Sequence, residues 1–363
     1  MKNDRWILYG ATGFTGELIA AAAHRRGLRP VLAGRSESKL AALASRFGFE
    51  HLSVSLDQPE ALRQAVRGAA VVLHAAGPFV DTSLPMVEAC LAEGASYLDI
   101  TGELPVFQQT FRHDAAAREK AVALISGVGF DVVPTDCLAR FVAEQTPGAT
   151  SLEVAIMGLG ETSAGTRKSA IGIIAQGGLV RRGGQLRQVP FGRGAKQLRF
   201  PPRQRWAVPG PLADLETAWH TTGIPEITTY LAVGSGTART LGRVWPLVWA
   251  LHPALRAVVG LRPVEARLRR WVEQGTRGPD AASREKSRCY AWARAESATA
   301  VTEATLTMKD PYEYTAEIAL DSVLQLLERP GQLRGALTPA QAFGADFALQ
   351  VEGTLRELVP APR

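Results

Sequence analysis

Three glycines at three-residue spacing, Gly10, Gly13 and Gly16, stand in "ILYGATGFTG" between an apolar run and the helix-like "ELIAAAA". Glycine weakens a helix interior, so this spacing points to backbone that must pass close to another group. In a strand–turn–helix the first glycine permits the tight turn. The next admits a pyrophosphate, and the last lets helix and strand pack closely. The helix N-terminus then offers unpaired N–H groups and a partial positive charge to the phosphates. A purely structural turn is the alternative, and the motif's place in the first βα turn of an alternating series argues for a dinucleotide.

The second strand tip selects the dinucleotide. An acid there would bond a ribose 2′-hydroxyl, whereas an arginine accommodates a 2′-phosphate. The chain reads "LAGRSES", with Arg35 and Ser36 behind Gly34 and no acid at the tip, so NADP(H) is the expected cofactor. Arg35 can pair bidentately with the phosphate while Ser36 donates beside it. Asp57, ending "SVSLD", is read either as an adenine-side residue or as the N-cap of the following helix. The fourth run ends in Gly77, Pro78 and Phe79, where Gly77 would admit the nicotinamide ribose and Pro78 would fix the turn. The fifth ends in "YLDITGE", which brings Asp99, Thr101, Gly102 and Glu103 to the same rim. His74, on an apolar strand, reads as a hydrogen-bonded core residue.

A proton donor is harder to place. "GFDVVPTDC" supplies Asp131, Asp136 and Cys137. Asp131 is read as a catalytic group or as an organiser of its loop, and Asp136 as a reacting acid or as a helix cap. Tyr314 in "DPYEYTA" is read as a phenolic donor or as a packing residue at a helix start. Lys168 is read as a binder of a substrate carboxylate or thioester oxygen, or as a solvated cation.

Elements that could position these groups follow from the patterning. Through about residue 130, apolar runs of four to six residues alternate with helical stretches, the mark of a parallel sheet wrapped by helices. The fold class expected is therefore α/β, a Rossmann-type parallel-sheet domain over residues 1–137. A second, α+β substrate domain is expected over 138–314, with helices from about 315–363 returning to the first. In it "SLEVAIMGLG" and "TYLAVGS" read as strands, "GTRKSAIGIIAQGG" as a helix, and "RCYAWARAESATAVTEATLTM" as paired strands. At 363 residues two domains are the natural division.

Composition narrows the class. Apolar residues form 46% and charged residues 21%, an ordinary globular balance, and the net charge of +6 is diffuse. The three cysteines have no metal-ligand spacing, which fits a reduced cytoplasm and no metal, and no signal-peptide pattern precedes the glycine cluster. Between Glu161 and Asp214 there are ten Lys or Arg and no acid. Few aromatics are interleaved there, so nucleic acid is not expected, and an anionic substrate, an acidic carrier or a lipid headgroup suits the stretch, as does simple solvation. The run 241–261 is apolar but holds Arg243, Pro246, His252, Pro253 and Arg256, which argue against a membrane span. It is read as the lid of an apolar pocket, an interfacial helix making a peripheral membrane contact, or core.

Taken together, "YGATGFTG", "LAGRSESKL", "AAGPF", "YLDITGE" and "SGVGFDVVPTD" resemble the saccharopine dehydrogenase-like family. Within it the chain is similar to the branch of bacterial trans-acting enoyl reductases, with "SAGTRKSA" and "LTPAQAFG" as later marks. The resemblance implies a nicotinamide-dependent reductase whose relatives reduce a double bond of a polyketide-derived lipid in trans with a synthase. It implies that Gly10, Thr12, Gly13, Phe14, Thr15 and Gly16 hold the pyrophosphate, that Arg35 selects NADP, and that Gly77 and Pro78 form the nicotinamide-side loop. Arg167 and Lys168 stand where the branch usually has uncharged residues. The expected function is double-bond reduction in an apolar acyl substrate, free or carrier-bound, with a homodimer as the assembly considered. Reduction of an imine or aldehyde, and a non-catalytic NADP-binding module, are the alternatives.

Overall fold

The computed structural model describes residues 4–158, 178–190, 193–201, 203–236, 238–240 and 280–360. Apolar runs become strands and the stretches between them helices: β1 (Trp6–Tyr9), α1 (Phe14–Arg25), β2 (Val31–Gly34), α2 (Glu37–Phe47), β3 (Glu50–Ser53), α3 (Pro59–Val66) and β4 (Val71–His74). There follow α4 (Phe79–Glu93), β5 (Ser96–Asp99), α5 (Leu104–Arg112), α6 (Asp114–Glu119), β6 (Ala123–Ile125) and α7 (Val133–Glu144). The rest of the described chain adds β7 (Ser151–Gly158), β8 (Gly178–Arg182), β9 (Gln185–Val189), β10 (Lys196–Phe200), β11 (Arg203–Pro209), α8 (Asp214–Thr222) and β12 (Glu226–Val233). Last come α9 (Ala281–Lys286), β13 (Cys289–Glu296), β14 (Val301–Met308), α10 (Pro311–Glu328), β15 (Gly335–Ala336), α11 (Pro339–Phe343) and β16 (Leu355–Leu358). The chain packs as two units, Met1–Val133 with Pro311–Val351, and Pro134–Asp310 with Glu352–Arg363.

In the first unit seven strands run in the order β15-β6-β5-β4-β1-β2-β3, all pairs parallel. Strand order reverses between β1 and β4, and the carboxyl ends there open the crevice where ligands bind in such sheets. β1, β2 and β4 are buried along their whole length, which explains their continuous rather than alternating apolar character. Trp6 and Leu8 join one core layer with Ile19, Leu40, Ala319 and Leu320, under α1, α2 and α10. Ile7 and Tyr9 point the other way, to Leu62, Met86 and Val87 of α3 and α4. Each such fully buried leucine or isoleucine contributes roughly 1.5–3 kcal/mol. Charges tie α10 to α1 at the surface, where Arg26 meets Asp321 at 2.6 Å.

The second unit holds a mixed sheet in the order β10-β11-β12-β7-β13-β14-β16, with β8 on β12 and β9 on β8. β7 and β12 are parallel, and β13 lies antiparallel to both β7 and β14. The hairpin register sets Trp292 opposite Thr305 and Ala155, and Tyr290 opposite Thr307 and Met157. Trp292, Tyr290, Tyr230, Met157, Leu198 and Phe200 form one apolar layer on this sheet. The fold is thus a Rossmann-type parallel sheet with a second α+β unit, as the patterning predicts.

The C-terminus differs from expectation. β15 pairs with β6 in the first sheet, but β16 pairs with β14, so residues from Glu352 sit in the second unit. The helix expected from about residue 315 begins at Pro311 and carries Tyr314 into the first unit. Lys168, Arg167, the expected helix "GTRKSAIGIIAQGG" and the 241–261 run lie outside the described residues. Among the described residues no helix is long and apolar enough to cross a membrane.

Candidate functional site

Gly10 leaves β1 with φ +84°, and a Cβ there would lie 2.8 Å from the backbone of Ala75 and Ala76, in the turn after β4. A Cβ on Gly16 would overlap the carbonyl oxygen of Gly10, so only glycine lets α1 start this close to the turn. Gly13 is different. It has φ −81°, is exposed, and a Cβ would meet only the Gly10 oxygen, at 3.3 Å. The protein thus restricts Gly13 far less than Gly10 or Gly16, and its outer side is open to a group lying against the turn. Gly13 occupies the N-cap of α1 without any side-chain cap, and Glu17 N is the first to bond back, to Gly13 O at 2.8 Å. The N–H groups of Phe14, Thr15 and Gly16 therefore have no intrahelical acceptor and point, with the helix dipole, out of the turn. Thr12 and Thr15 are half-buried beside them, and the Phe14 ring packs edge-on against Tyr312 at 5.0 Å. An open turn without a capping side chain, at the positive end of a helix, fits a pyrophosphate.

At the neighbouring strand tip Arg35 is exposed and makes no ion pair among the described residues. Ser36 stands at the N-cap of α2, yet its hydroxyl makes no cap bond. The nearest acid in sequence, Glu37, turns to His51 at 2.9 Å. Tyr9 feels both Arg35 and Asp57: burial pushes its phenol pKa up, the Arg35 charge pulls it down and Asp57 pushes it up. Its hydroxyl donates to Val54 O at 3.2 Å. Asp57 is not the helix cap, since Gln58 holds that place in α3. A free guanidinium beside a free hydroxyl fits a phosphate monoester.

The rim above β4, β5 and β6 is built from side chains instead. His74 is buried, its Nδ1 3.2 Å from the Tyr97 hydroxyl, and burial pushes it down to about 3, so it is a neutral core residue. The Gly77–Pro78 peptide is cis and leads into α4. Glu103, the N-cap residue of α5, sends its carboxylate to the first turn of α4 instead, accepting from Phe79 N at 3.3 Å and Val80 N at 2.8 Å. Thr101 is buried, and its hydroxyl accepts from Glu103 N at 3.0 Å. Asp99, fully buried at the end of β5, is pushed up to about 6 by burial, against the pull of the donors around it.

Of the expected donors, Asp131 is on this rim: exposed, and so close to Gly102 that a Cβ on that glycine would lie 3.0 Å from its own. Desolvation by the neighbouring protein atoms, limited by its exposed surface, and then the Glu103 carboxylate raise the Asp131 pKa above the usual carboxylate range. Tyr314 requires correction. It is fully buried and its hydroxyl donates to Ala348 O at 3.0 Å, the packing role rather than the donor role. Asp136 is buried in the first turn of α7 and accepts from Thr221 Oγ1 at 2.7 Å, and Cys137 is buried beside it. The sequence reading missed what Glu103 does, because its partners lie 24 and 23 residues away with no periodic relation to it.

Comparison with known proteins agrees with this geometry. Residues 6–125 match the model of the saccharopine dehydrogenase NADP binding domain. A trans-acting enoyl reductase of Mycobacterium leprae is 35% identical over 154 residues, 39% of this chain and 37% of that protein. A trans-acting enoyl reductase of Mycobacterium bovis is 34% identical over 138 residues, 36% of this chain and 33% of that protein. The match thus spans about a third of the length of these relatives. Apo saccharopine dehydrogenase (L-Glu forming) from Saccharomyces cerevisiae superposes with a TM-score of 0.65, at 13% identity, over 98% of this chain and 100% of that one. Residues 6–125 thus match the saccharopine dehydrogenase NADP binding domain, within a chain whose fold is that of saccharopine dehydrogenase.

Proposed function

We propose that the protein is an NADP(H)-dependent oxidoreductase that reduces an enoyl-type double bond in an apolar acyl substrate. The observation that carries the cofactor choice is Arg35, an unpaired guanidinium at the β2 tip beside a Ser36 hydroxyl that caps nothing. When bound, the cofactor supplies the hydride. The rest falls to the chain's own residues. Phe14, Thr15 and Gly16 hold the pyrophosphate on their amides at the positive end of α1. Arg35 and Ser36 grip the 2′-phosphate. Asp131, packed on Gly102 and facing the Glu103 carboxylate, whose charge raises its pKa, supplies a carboxyl oxygen able to hold and release a proton, as protonation of the substrate carbon requires.

Support for an apolar substrate comes from α4. Val80 and Leu84, one helical turn apart, are 45% and 37% exposed and follow directly on the Gly77–Pro78 turn of the rim. The names of the relatives support the enoyl reaction. NADPH oxidation against enoyl thioesters, imines and aldehydes tests the proposal. Turnover is expected with the thioesters, increasing with acyl chain length; turnover with imines or aldehydes alone, or with nothing while NADPH still binds, rejects it.

A further inference from the structure

Asp99 does more than occupy a strand end. Its Oδ1 accepts from Thr101 N and from Gly127 N, each at 2.9 Å, and its Oδ2 accepts from Ser126 Oγ at 2.8 Å. Its backbone carbonyl takes Val128 N at 2.7 Å. One carboxylate thus gathers donors from the loop after β5 and from the loop after β6. The series continues outward, because Thr101 Oγ1 holds Glu103 N and the Glu103 carboxylate holds the first amides of α4. Ser126 is steadied from behind by Thr110 Oγ1 at 3.0 Å.

Steric limits make this wiring definite. Gly127 has φ +77°, and a Cβ there would lie 2.7 Å from the Phe107 ring, so its loop has one place to sit. Phe130 N is anchored on Thr315 Oγ1 at 3.0 Å, and Asp131 follows at once, packed on Gly102. A buried carboxylate is expensive and an apolar residue would serve a mere core better, so its retention with three donors points to placement.

We infer that Asp99 is the positioning residue of the rim: it holds the 101–103 and 126–131 loops in one register and so sets Asp131 against the Gly77–Val80 turn. The inference rests on the nicotinamide nucleotide reading above. It is the register of these loops, not any contact of Asp99 with substrate, that the residue supplies.

Hydrogen exchange by mass spectrometry and NADPH titration, on wild type and on Asp99→Ala, Asp99→Asn and Ser126→Ala, test it. In Asp99→Ala, exchange is expected to rise about tenfold or more at residues 101–103 and 126–131, with β1 and β2 unchanged. NADPH affinity should weaken about tenfold in parallel. The rate with a turned-over substrate should fall by on the order of 100-fold, more than the change in KM, because the loops shift while the groups that bind substrate remain. Asp99→Asn keeps an acceptor oxygen for both amides and should restore most of the protection. Ser126→Ala, a smaller change that serves if Asp99→Ala does not fold, should loosen only the 126–131 loop. Unchanged exchange in both loops, or a rise spread evenly over the whole unit, overturns the inference. A wild-type protein that fails to bind NADPH would sink the nucleotide reading instead, and the exchange pattern alone would then judge Asp99.

Discussion

The two ends of the nucleotide crevice are shaped by opposite means. At the glycine turn, geometry is set by side chains that are missing: Gly10 and Gly16 let backbone meet backbone, and no side-chain hydrogen bond caps α1. At the β4–β6 rim, geometry is set by side chains that are present, Asp99, Thr101, Ser126 and Glu103, bonded across three loops. The first kind of site is rigid by steric exclusion and insensitive to pH. The second is rigid only while its acceptors keep their donors, and it holds two carboxyls with raised pKa, Asp99 at about 6. Binding of a constant group suits the first, and proton handling the second.

The contrast breaks if the glycines are not equivalent in the way the geometry says. Gly16→Ala should lower stability by about 3 kcal/mol or more and abolish NADPH binding, because its methyl would fall on the Gly10 oxygen. Gly13→Ala should stay within about 1 kcal/mol of wild type and still weaken NADPH, since its methyl presses on the Gly10 oxygen only at 3.3 Å and otherwise faces the ligand's space. Thermal unfolding and NADPH fluorescence on both variants decide this, and equal stability losses at the two positions would undo the ranking.

Next in size is the pH response of the rim. Burial lifts the folded pKa of Asp99 to about 6, above an unfolded value near 3.9. The folded state therefore favours the protonated acid: this stability is full below about pH 4 and is lost as pH rises through about 6, at most about 3 kcal/mol. Asp99→Asn should flatten that part of the curve and be relatively more stable at pH 7.5 than at pH 4.5. Denaturant unfolding at both pH values, with the same slope in mutant and wild type, would show that Asp99 does not titrate in this window.

Smaller effects sharpen the outer edges of the crevice. Arg35→Ala should cost NADPH roughly 1.5–3 kcal/mol, or about 10- to 150-fold, while leaving NADH nearly unchanged. An unchanged preference between the two dinucleotides in a titration would remove Arg35 from the phosphate site. Leu84→Ser should flatten the gain in affinity with acyl length, which is about 0.8 kcal/mol for each methylene that reaches it. A parallel loss for short and long substrates would instead make Leu84 an ordinary surface residue.

Legibility in the sequence follows the same division. "GATGFTG" and "LAGRSES" can be read directly because steric exclusion leaves glycines at fixed spacing and a strand tip leaves a short run of polar residues. The parallel sheet is legible for a similar reason: β1, β2 and β4, buried on both faces, must be apolar throughout. Asp99 and Glu103 can be seen as polar residues at a strand end, but apart from the Thr101 amide that Asp99 accepts locally, the donors to their carboxylates come from loops 23–28 residues away, and nothing local encodes those bonds. Tyr314 misleads because a phenol at a helix start looks the same whether it faces a ligand or the Ala348 carbonyl. The division of the C-terminus was equally hidden, since "LREL" in β16 has no feature that chooses β14 over a strand of the first sheet.

The return of Pro311–Val351 to the first unit also bears on how the protein is made. One face of the nucleotide-binding sheet is covered by α10, whose Ala316, Ala319, Leu320 and Val323 complete the layer begun by Trp6 and Leu8, and β15 adds the last strand beside β6. These pieces leave the ribosome only after the intervening Pro134–Asp310 has been synthesised, which at about 5–20 residues per second takes on the order of 10–35 s. Throughout that interval the emerging strands have an uncovered apolar face, and the second unit can begin to fold before the first can finish.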